Sequence, residues 1–216
     1  MNCLVIAATA KEISPFLDWY RHNIRAADTG IDVLITGIGL TATSYHLTKQ
    51  INIKRPDLVI QSGVAGCFDK QLSLGSVVAV KHDTIADESV VELKKLKTLF
   101  DLKLLPQNQF PFRKGWLINP NIELLKKSKL KTVKGISVNQ ITCSKQTINF
   151  YKDRFVPAIE SMEGAAVHYV CLMEKIPFIQ LRSVSNYIGE RNKRNWNMKE
   201  SISNLNVELI KLVQKI

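Results

Sequence analysis

Residues 32–66 read DVLITGIGLTATSYHLTKQINIKRPDLVIQSGVAG, and this stretch decides the fold. The apolar run DVLITG (32–37) predicts a buried-type strand that ends in small residues. Helical spacing follows over about 40–51, Pro56 breaks the chain, and DLVIQS (57–62) predicts the next strand. Strand, helix and strand in close succession form the unit from which α/β proteins are built.

The same rhythm continues on both sides. CLVIAA (3–8) predicts a strand and residues 11–20 have helical spacing. SVVAV (76–80), entered through Gly75, TVKGISV (132–138), AIES (158–161) and FIQLRSV (178–184) predict further strands. Helices are expected near 146–153, at GAAVHYVCLMEK (164–175) and from about 199. The middle, 88–130, is predicted as a lysine-rich amphipathic piece, a loop (LPQNQFPF) and a helix that Asn119 caps, with Pro120 in its first turn. There are no internal repeats or linkers. The expectation is one α/β domain over residues 1–216, in three α/β/α layers around a central mixed, twisted sheet.

Composition narrows the class. The chain has 216 residues, 45% of them hydrophobic and 23% charged, which suits a globular domain. No apolar run approaches the roughly 18 residues of a membrane helix. The start MNCLVIAATAKE has no basic leader and meets Lys11 and Glu12 early, so a cytoplasmic protein with no membrane partner is expected. Cys3, Cys67, Cys143 and Cys171 are scattered and suit a reducing compartment. His22, His46, His82 and His168 show no ligand spacing, so no metal is expected. The net charge is +11, and residues 91–135 hold eleven Lys/Arg against three Asp/Glu, a surplus of eight. That surplus admits a nucleic-acid partner, but the lysines of VELKKLKTLF and IELLKKSKLK read better as solvated helix faces.

Two glycine-rich segments, TGIG (36–39) and SGVAG (62–66), stand at predicted strand ends, where ligands of open α/β sheets bind. The first approximates the dinucleotide fingerprint, yet the acid that should end the next strand is missing: that strand ends Gln61-Ser62. Glu12 and Glu163 each follow a strand among small residues. Such an acid is either a cleft carboxylate or a first-turn residue favoured by the helix dipole. Arg182 falls inside an apolar strand, where a charge needs a partner. Asn186 lies just beyond that strand, as a turn former or a site residue.

Five segments, IAATAKE, TGIG, SGVAG, ESMEGAA and LRSVSN, occur in the order found in the nucleoside phosphorylase and nucleosidase superfamily, which the chain resembles from residue 4 to residue 186. Within it, ESMEGAA followed by LRSVSNYIGERNKRNWN looks most like the branch that releases hypoxanthine from futalosine in menaquinone synthesis. The alternative is the branch acting on methylthioadenosine and adenosylhomocysteine. The resemblance implies a homo-oligomer, a dimer foremost, taking a small nucleoside. It implies that Glu12 deprotonates water, helped by Glu163 and Arg182, and that Met162 and Glu163 hold the ribose. It places Gly63 at the substrate, Ile141 and Thr142 against the base (Thr142 through its backbone), and Asn186 at the N7 edge. Arg191 or Arg194, in the basic run after Asn186, is expected to pair with a 5′ carboxylate. Hydrolysis is expected over phosphorolysis, because Gln61-Ser62 replaces the phosphate-binding arginine of the phosphorylases and Glu12 repels an anion. The hydrolytic chemistry implied by the resemblance needs no organic cofactor. Asn186 favours a 6-oxopurine: its amide donates to the oxo group and accepts from N7–H, whereas adenine needs the pattern an acid supplies.

Overall fold

All five residues of β1 (Cys3–Ala7) are buried, and their alternation sorts them into two cores. Cys3, Val5 and Ala7 pack with Phe16, Leu58, Ile60, Leu205 and Leu209, while Leu4 and Ile6 pack with Leu47, Ile51, Val59, Val167 and Phe178. A strand buried on both faces belongs at the centre of a parallel sheet. The structure, a computed structural model, describes residues 1–23 and 30–216. After β1 come a 3₁₀ turn (Ala10–Ile13), α1 (Ser14–Asn23), β2 (Ile31–Ile35), α2 (Leu40–Ile53), β3 (Leu58–Cys67) and β4 (Val77–Asp83). Then follow β5 (Ser89–Glu92), β6 (Lys95–Thr98), β7 (Phe112–Arg113), β8 (Trp116–Ile118), α3 (Ile122–Ser128), β9 (Lys131–Ser137) and α4 (Lys145–Phe155). The chain ends with β10 (Ile159–Ser161), α5 (Gly164–Met173), β11 (Phe178–Tyr187), a 3₁₀ turn (Lys193–Asn195) and α6 (Met198–Val213).

Helices cover both faces, so the three layers expected from the sequence are present. Residues from α1 and α6 fill the first core; Leu205, Leu209, Leu212 and Val213 give α6 one apolar stripe. Residues from α2 and α5 fill the second. Each fully buried Leu or Phe stabilises this arrangement by roughly 1.5–3 kcal/mol.

The sheet is mixed and curls further than an open sheet. β2, β1 and β3 are parallel; β3 also pairs in parallel with β11, β11 runs antiparallel to β4, and β4, β9 and β10 are parallel in turn. β10 returns antiparallel to β3 through Ile159↔Cys67 and Glu160↔Gly66. These pairings close a five-stranded ring, and all five strands contribute to one core: Ala65, Cys67, Val78, Val80, Val133, Ile159 and Val184.

Three sequence expectations need correction. SGVAG does not follow the end of its strand as a turn, because β3, predicted to stop at Ser62, continues through it to Cys67. VELKKLKTLF is not a helix. β5 and β6 form a hairpin with Glu92 opposite Lys95, and Leu93 and Lys94 at φ 48° and 62° make its two-residue turn. Its pattern has period two at the decisive end: Leu96 packs near Phe155 and Thr98 is buried, while Lys97 pairs with Glu92 on the outside. Finally, Asn121 rather than Asn119 precedes the first turn of α3. Asn119 is buried, donates to Phe178 O and accepts from Asn121 N, pinning the start of α3 to β11.

Candidate active site

Glu12 is held from two sides. Thr9 caps the 3₁₀ turn after β1, and Glu12 Oε2 accepts from Thr9 N and Thr9 Oγ1, both at 3.0 Å. Its Oε1 accepts from Val64 N in β3 at 3.1 Å. Behind it, Asn206 of α6 donates to Glu12 O at 2.8 Å and accepts from Phe16 N. Glu163 follows β10 and precedes α5. Its Oε2 lies 3.3 Å from Arg182 Nη1, and its Oε1 accepts from Gly39 N at 3.2 Å. Gly37 and Gly39, at φ 80° and 97°, make the turn that aims this N–H, a backbone conformation costly to other residues.

Arg182 is the hub, 1% exposed. Its Nε donates to Gln180 Oε1 at 3.0 Å and its Nη1 to Val64 O at 3.3 Å as well as to Glu163. Gly63 is explained by this guanidinium rather than by a ligand. A Cβ there would stand 2.5 Å from Arg182 Nη1 and 3.1 Å from Glu12 Oε1. A buried pair of this kind is costly to break, about 3–5 kcal/mol when one partner is removed, because the other charge is stranded.

A buried polar chain continues behind Arg182, and the sequence reading missed it. Gln180 Nε2 donates to Asp83 Oδ2 at 2.9 Å and lies 3.0 Å from His168 Nε2. His168 Nδ1 donates to Leu117 O, which leaves Nε2 as the acceptor. Asp83 also accepts from Ser137 Oγ and Thr84 N. Burial pushes Asp83 up to about 6 and His168 down to about 3. A signal was available: Gln180 stands two residues before Arg182 and so faces the same way.

A cleft of about 360 Å³ opens over these groups, and Glu12, Glu163, Met162, Ile141 and Asn186 all line it. Asn186 reaches it through a register shift in β11 between Val184 and Asn186, a bulge that re-aims the side chain. Its Oδ1 accepts from Ser185 Oγ at 2.9 Å and its Nδ2 donates to Tyr187 O at 3.2 Å. Thr142 departs from expectation: its backbone N–H is taken by Glu160 Oε1 at 3.0 Å, so it is not free for a base. Glu160, also missed, lines the cleft and is 5% exposed. Trp196, Met198 and Ile202 give the cleft an apolar wall, and Ile188, also lining it, lies against Gly66. Arg191 and Arg194 are not among the lining residues; both are exposed, and the Arg191 guanidinium lies 5.9 Å from the Trp196 ring centre.

Residues 6–216 match the phosphorylase superfamily. A futalosine hydrolase of Thermus thermophilus is 27% identical over 179 residues, covering 82% of this chain and 78% of that protein. A 5′-methylthioadenosine/S-adenosylhomocysteine nucleosidase of Tolumonas auensis is 30% identical over 180 residues, covering 80% and 74%. The native futalosine hydrolase structure of Helicobacter pylori superposes with a TM-score of 0.82 at 22% identity, covering 100% of this chain and 98% of that one. A mutant nucleosidase of the same organism, solved with 5′-methylthioadenosine in its active site, gives 0.81 at 23%, covering 100% and 99%. Fold, cleft and relatives together define an enzyme class, the nucleosidases, which are N-glycosyl hydrolases. The chain belongs to the phosphorylase superfamily.

Proposed function

We propose that the cleft hydrolyses the C1′–N9 bond of a 6-oxopurine nucleoside, futalosine being the substrate, and releases hypoxanthine. One observation carries this reading: Glu12, Glu163 and Asn186 line one cleft, with an asparagine at the base-facing position. Glu12 takes a proton from water, whose oxygen bonds to C1′ as the C1′–N9 pair of electrons leaves with the purine. The purine leaves as an anion and takes a proton at N7 from solvent water, and the Asn186 carbonyl accepts a hydrogen bond from that N7–H. Glu163, oriented by Arg182 and Gly39 N, accepts from ribose hydroxyls and stabilises positive charge on the sugar. The T. thermophilus futalosine hydrolase supports the substrate choice.

A second reading, methylthioadenosine or adenosylhomocysteine as substrate, is favoured by the apolar wall of Trp196, Met198 and Ile202, which suits a thioether, and by relatives such as the T. auensis nucleosidase. Incubation with futalosine, methylthioadenosine and inosine, with and without phosphate, separates the readings. Hypoxanthine and a free ribosyl product are expected from futalosine. Adenine from methylthioadenosine alone would establish the second reading, and a sugar 1-phosphate would establish a phosphorylase. We also infer a cytoplasmic homodimer, consistent with free cysteines, with Ile38 standing exposed in the cleft lining and with an exposed Tyr45. Light scattering at twice the mass of 24.4 kDa would bear out the dimer.

A further inference from the structure

The base end of the cleft holds a buried carboxylate for which the hydrolytic steps have no use. Glu160 pairs with Gly66 across β10–β3, and Asn186 pairs with the same Gly66 across β11–β3. Directly paired residues project to one face, so the two side chains flank a position with no side chain of its own. Strands lie about 4.8 Å apart, which sets the Glu160 and Asn186 backbones about 10 Å apart, room for a purine held from both edges. The end of the Ile188 side chain rests on Gly66, and a Cβ there would displace it and lie 3.5 Å from Asn186 Nδ2.

The valences at Glu160 are half used. Its Oε1 accepts from Thr142 N, while its Oε2 has no partner among the described residues. Burial, with Asp87 adding repulsion, raises its affinity for a proton above the ordinary carboxylate value. A buried carboxylate oxygen without a donor is a cost that a donating ligand removes.

We propose that Glu160 is a specificity-determining residue that accepts the N1–H of a 6-oxopurine. This rests on the nucleoside hydrolase reading and extends it to the choice of base. Hypoxanthine presents N1–H as a donor beside its 6-oxo acceptor; adenine presents N1 as an acceptor beside a 6-amino donor. The backbone N–H that would pair with adenine N1, that of Thr142, is already consumed by Glu160. The wall therefore shows an acceptor. With Asn186 donating to the oxo group from its other side, three contacts match hypoxanthine. Adenine would set N1 against a carboxylate, acceptor against acceptor.

The test is Glu160→Gln. Its amide oxygen keeps the Thr142 N–H, and its NH₂ turns the wall from acceptor to donor. The ratio of kcat/KM for an inosine-type and an adenosine-type nucleoside sharing one 5′ group should move about 10- to 100-fold toward adenine. A ratio within twofold of the parent's overturns the proposal. If the parent cleaves no purine nucleoside, the hydrolase reading fails on its own, and calorimetry with free hypoxanthine and adenine still tests Glu160 by the same expected reversal. If Glu160→Gln is insoluble, the parent protein serves: 1-methylhypoxanthine, which lacks N1–H, should bind at least tenfold more weakly than hypoxanthine, and equal binding overturns the proposal.

Discussion

The two ends of the cleft are built differently. At the sugar end, both oxygens of Glu12 and both of Glu163 accept a hydrogen bond from the protein. At the base end, Glu160 Oε2 and Thr142 Oγ1 are buried with no partner among the described residues. Groups that stabilise a transition state gain from being oriented before the substrate arrives, because no reorganisation remains to be done at the moment of reaction. Groups that discriminate between ligands gain from spare valences, which the right ligand fills and the wrong one leaves buried and unpaired. The carboxylates of one end are fully oriented without substrate, although Arg182 Nη2 behind them is buried with no partner among the described residues, and the carboxylate of the other end is completed by substrate.

The strongest way to break this contrast is at Glu12. Glu12→Gln should lower turnover by about 10²–10⁴, the usual worth of a general base. Nucleoside affinity should change far less than turnover, although the Gln NH₂ must face one of the two backbone donors, Thr9 N or Val64 N, while its oxygen keeps the other. Single-turnover rates and equilibrium binding separate the two effects. Turnover near that of the parent would remove Glu12 from the mechanism.

At the base end the expected effect is smaller and appears as selectivity. Asn186→Asp places an ionised oxygen against the 6-oxo group, two acceptors in a dry site, at a cost of roughly 1–3 kcal/mol or about one to two decades in rate. With an adenine nucleoside the same oxygen accepts from the 6-amino group. The ratio of kcat/KM for inosine-type and adenosine-type nucleosides should move toward adenine. An unmoved ratio means that Asn186 does not read the base.

The sugar end was the more legible of the two in the sequence, for a physical reason. Glu12, Glu163 and Arg182 stand out as charges beside or within apolar strands, and a charge there demands partners. Fold layers were legible for a similar reason: CLVIA is a continuous apolar run, and DLVIQ and FIQLRSV are mostly apolar, so that only a doubly covered sheet can bury them. Glu160 was hidden, because an acid in ESMEGAA two positions from Met162 carries no mark of facing Asn186. That juxtaposition depends on ring closure through Gly66, a pairing between residues far apart in the chain. The bulge at Asn186 was likewise invisible. The lysine-rich hairpin was misread because lysines suit helix and edge strand alike, and the turn at Leu93-Lys94 lacks the Asn-Gly signal that marks its type.

The support behind the sugar end can be probed by pH. His168, held at about 3 against an ordinary 6.5, contributes stability that is present above pH 6.5 and lost as pH falls toward 3. Asp83, held at about 6 against 3.8, acts oppositely: its contribution is present below pH 3.8 and lost as pH rises through 6. Between about pH 4 and 6 the two slopes, each about 1.4 kcal/mol per pH unit, oppose one another. Asp83→Asn removes one of them. Whatever its starting stability, the variant's unfolding free energy should fall with acid from pH 6 to 4 more steeply than the parent's, by about that slope. Parallel curves in denaturant titrations would show that Asp83 and His168 do not set this balance.

The smallest expected effect lies at the 5′ end, where an apolar wall meets two exposed arginines. Trp196, Met198 and Ile202 line the cleft, while Arg191 and Arg194 stand outside it. A carboxylate on the 5′ substituent therefore meets any arginine at the rim, in water, where an ion pair is screened and worth little. Arg191→Ala or Arg194→Ala should raise KM for futalosine at most about fivefold, the upper range for an exposed pair. The rise should shrink as salt is added, and kcat should hold. KM for methylthioadenosine, which has no carboxylate, should not move in either variant. The control matters because Arg191 also covers the Trp196 ring, and its loss could loosen the wall for every substrate alike. Equal changes for both nucleosides would assign Arg191 to packing. If neither variant changes KM for futalosine, the carboxylate is held elsewhere. The next residue to vary is then Lys11, a cation that lines the cleft itself, one position from Glu12.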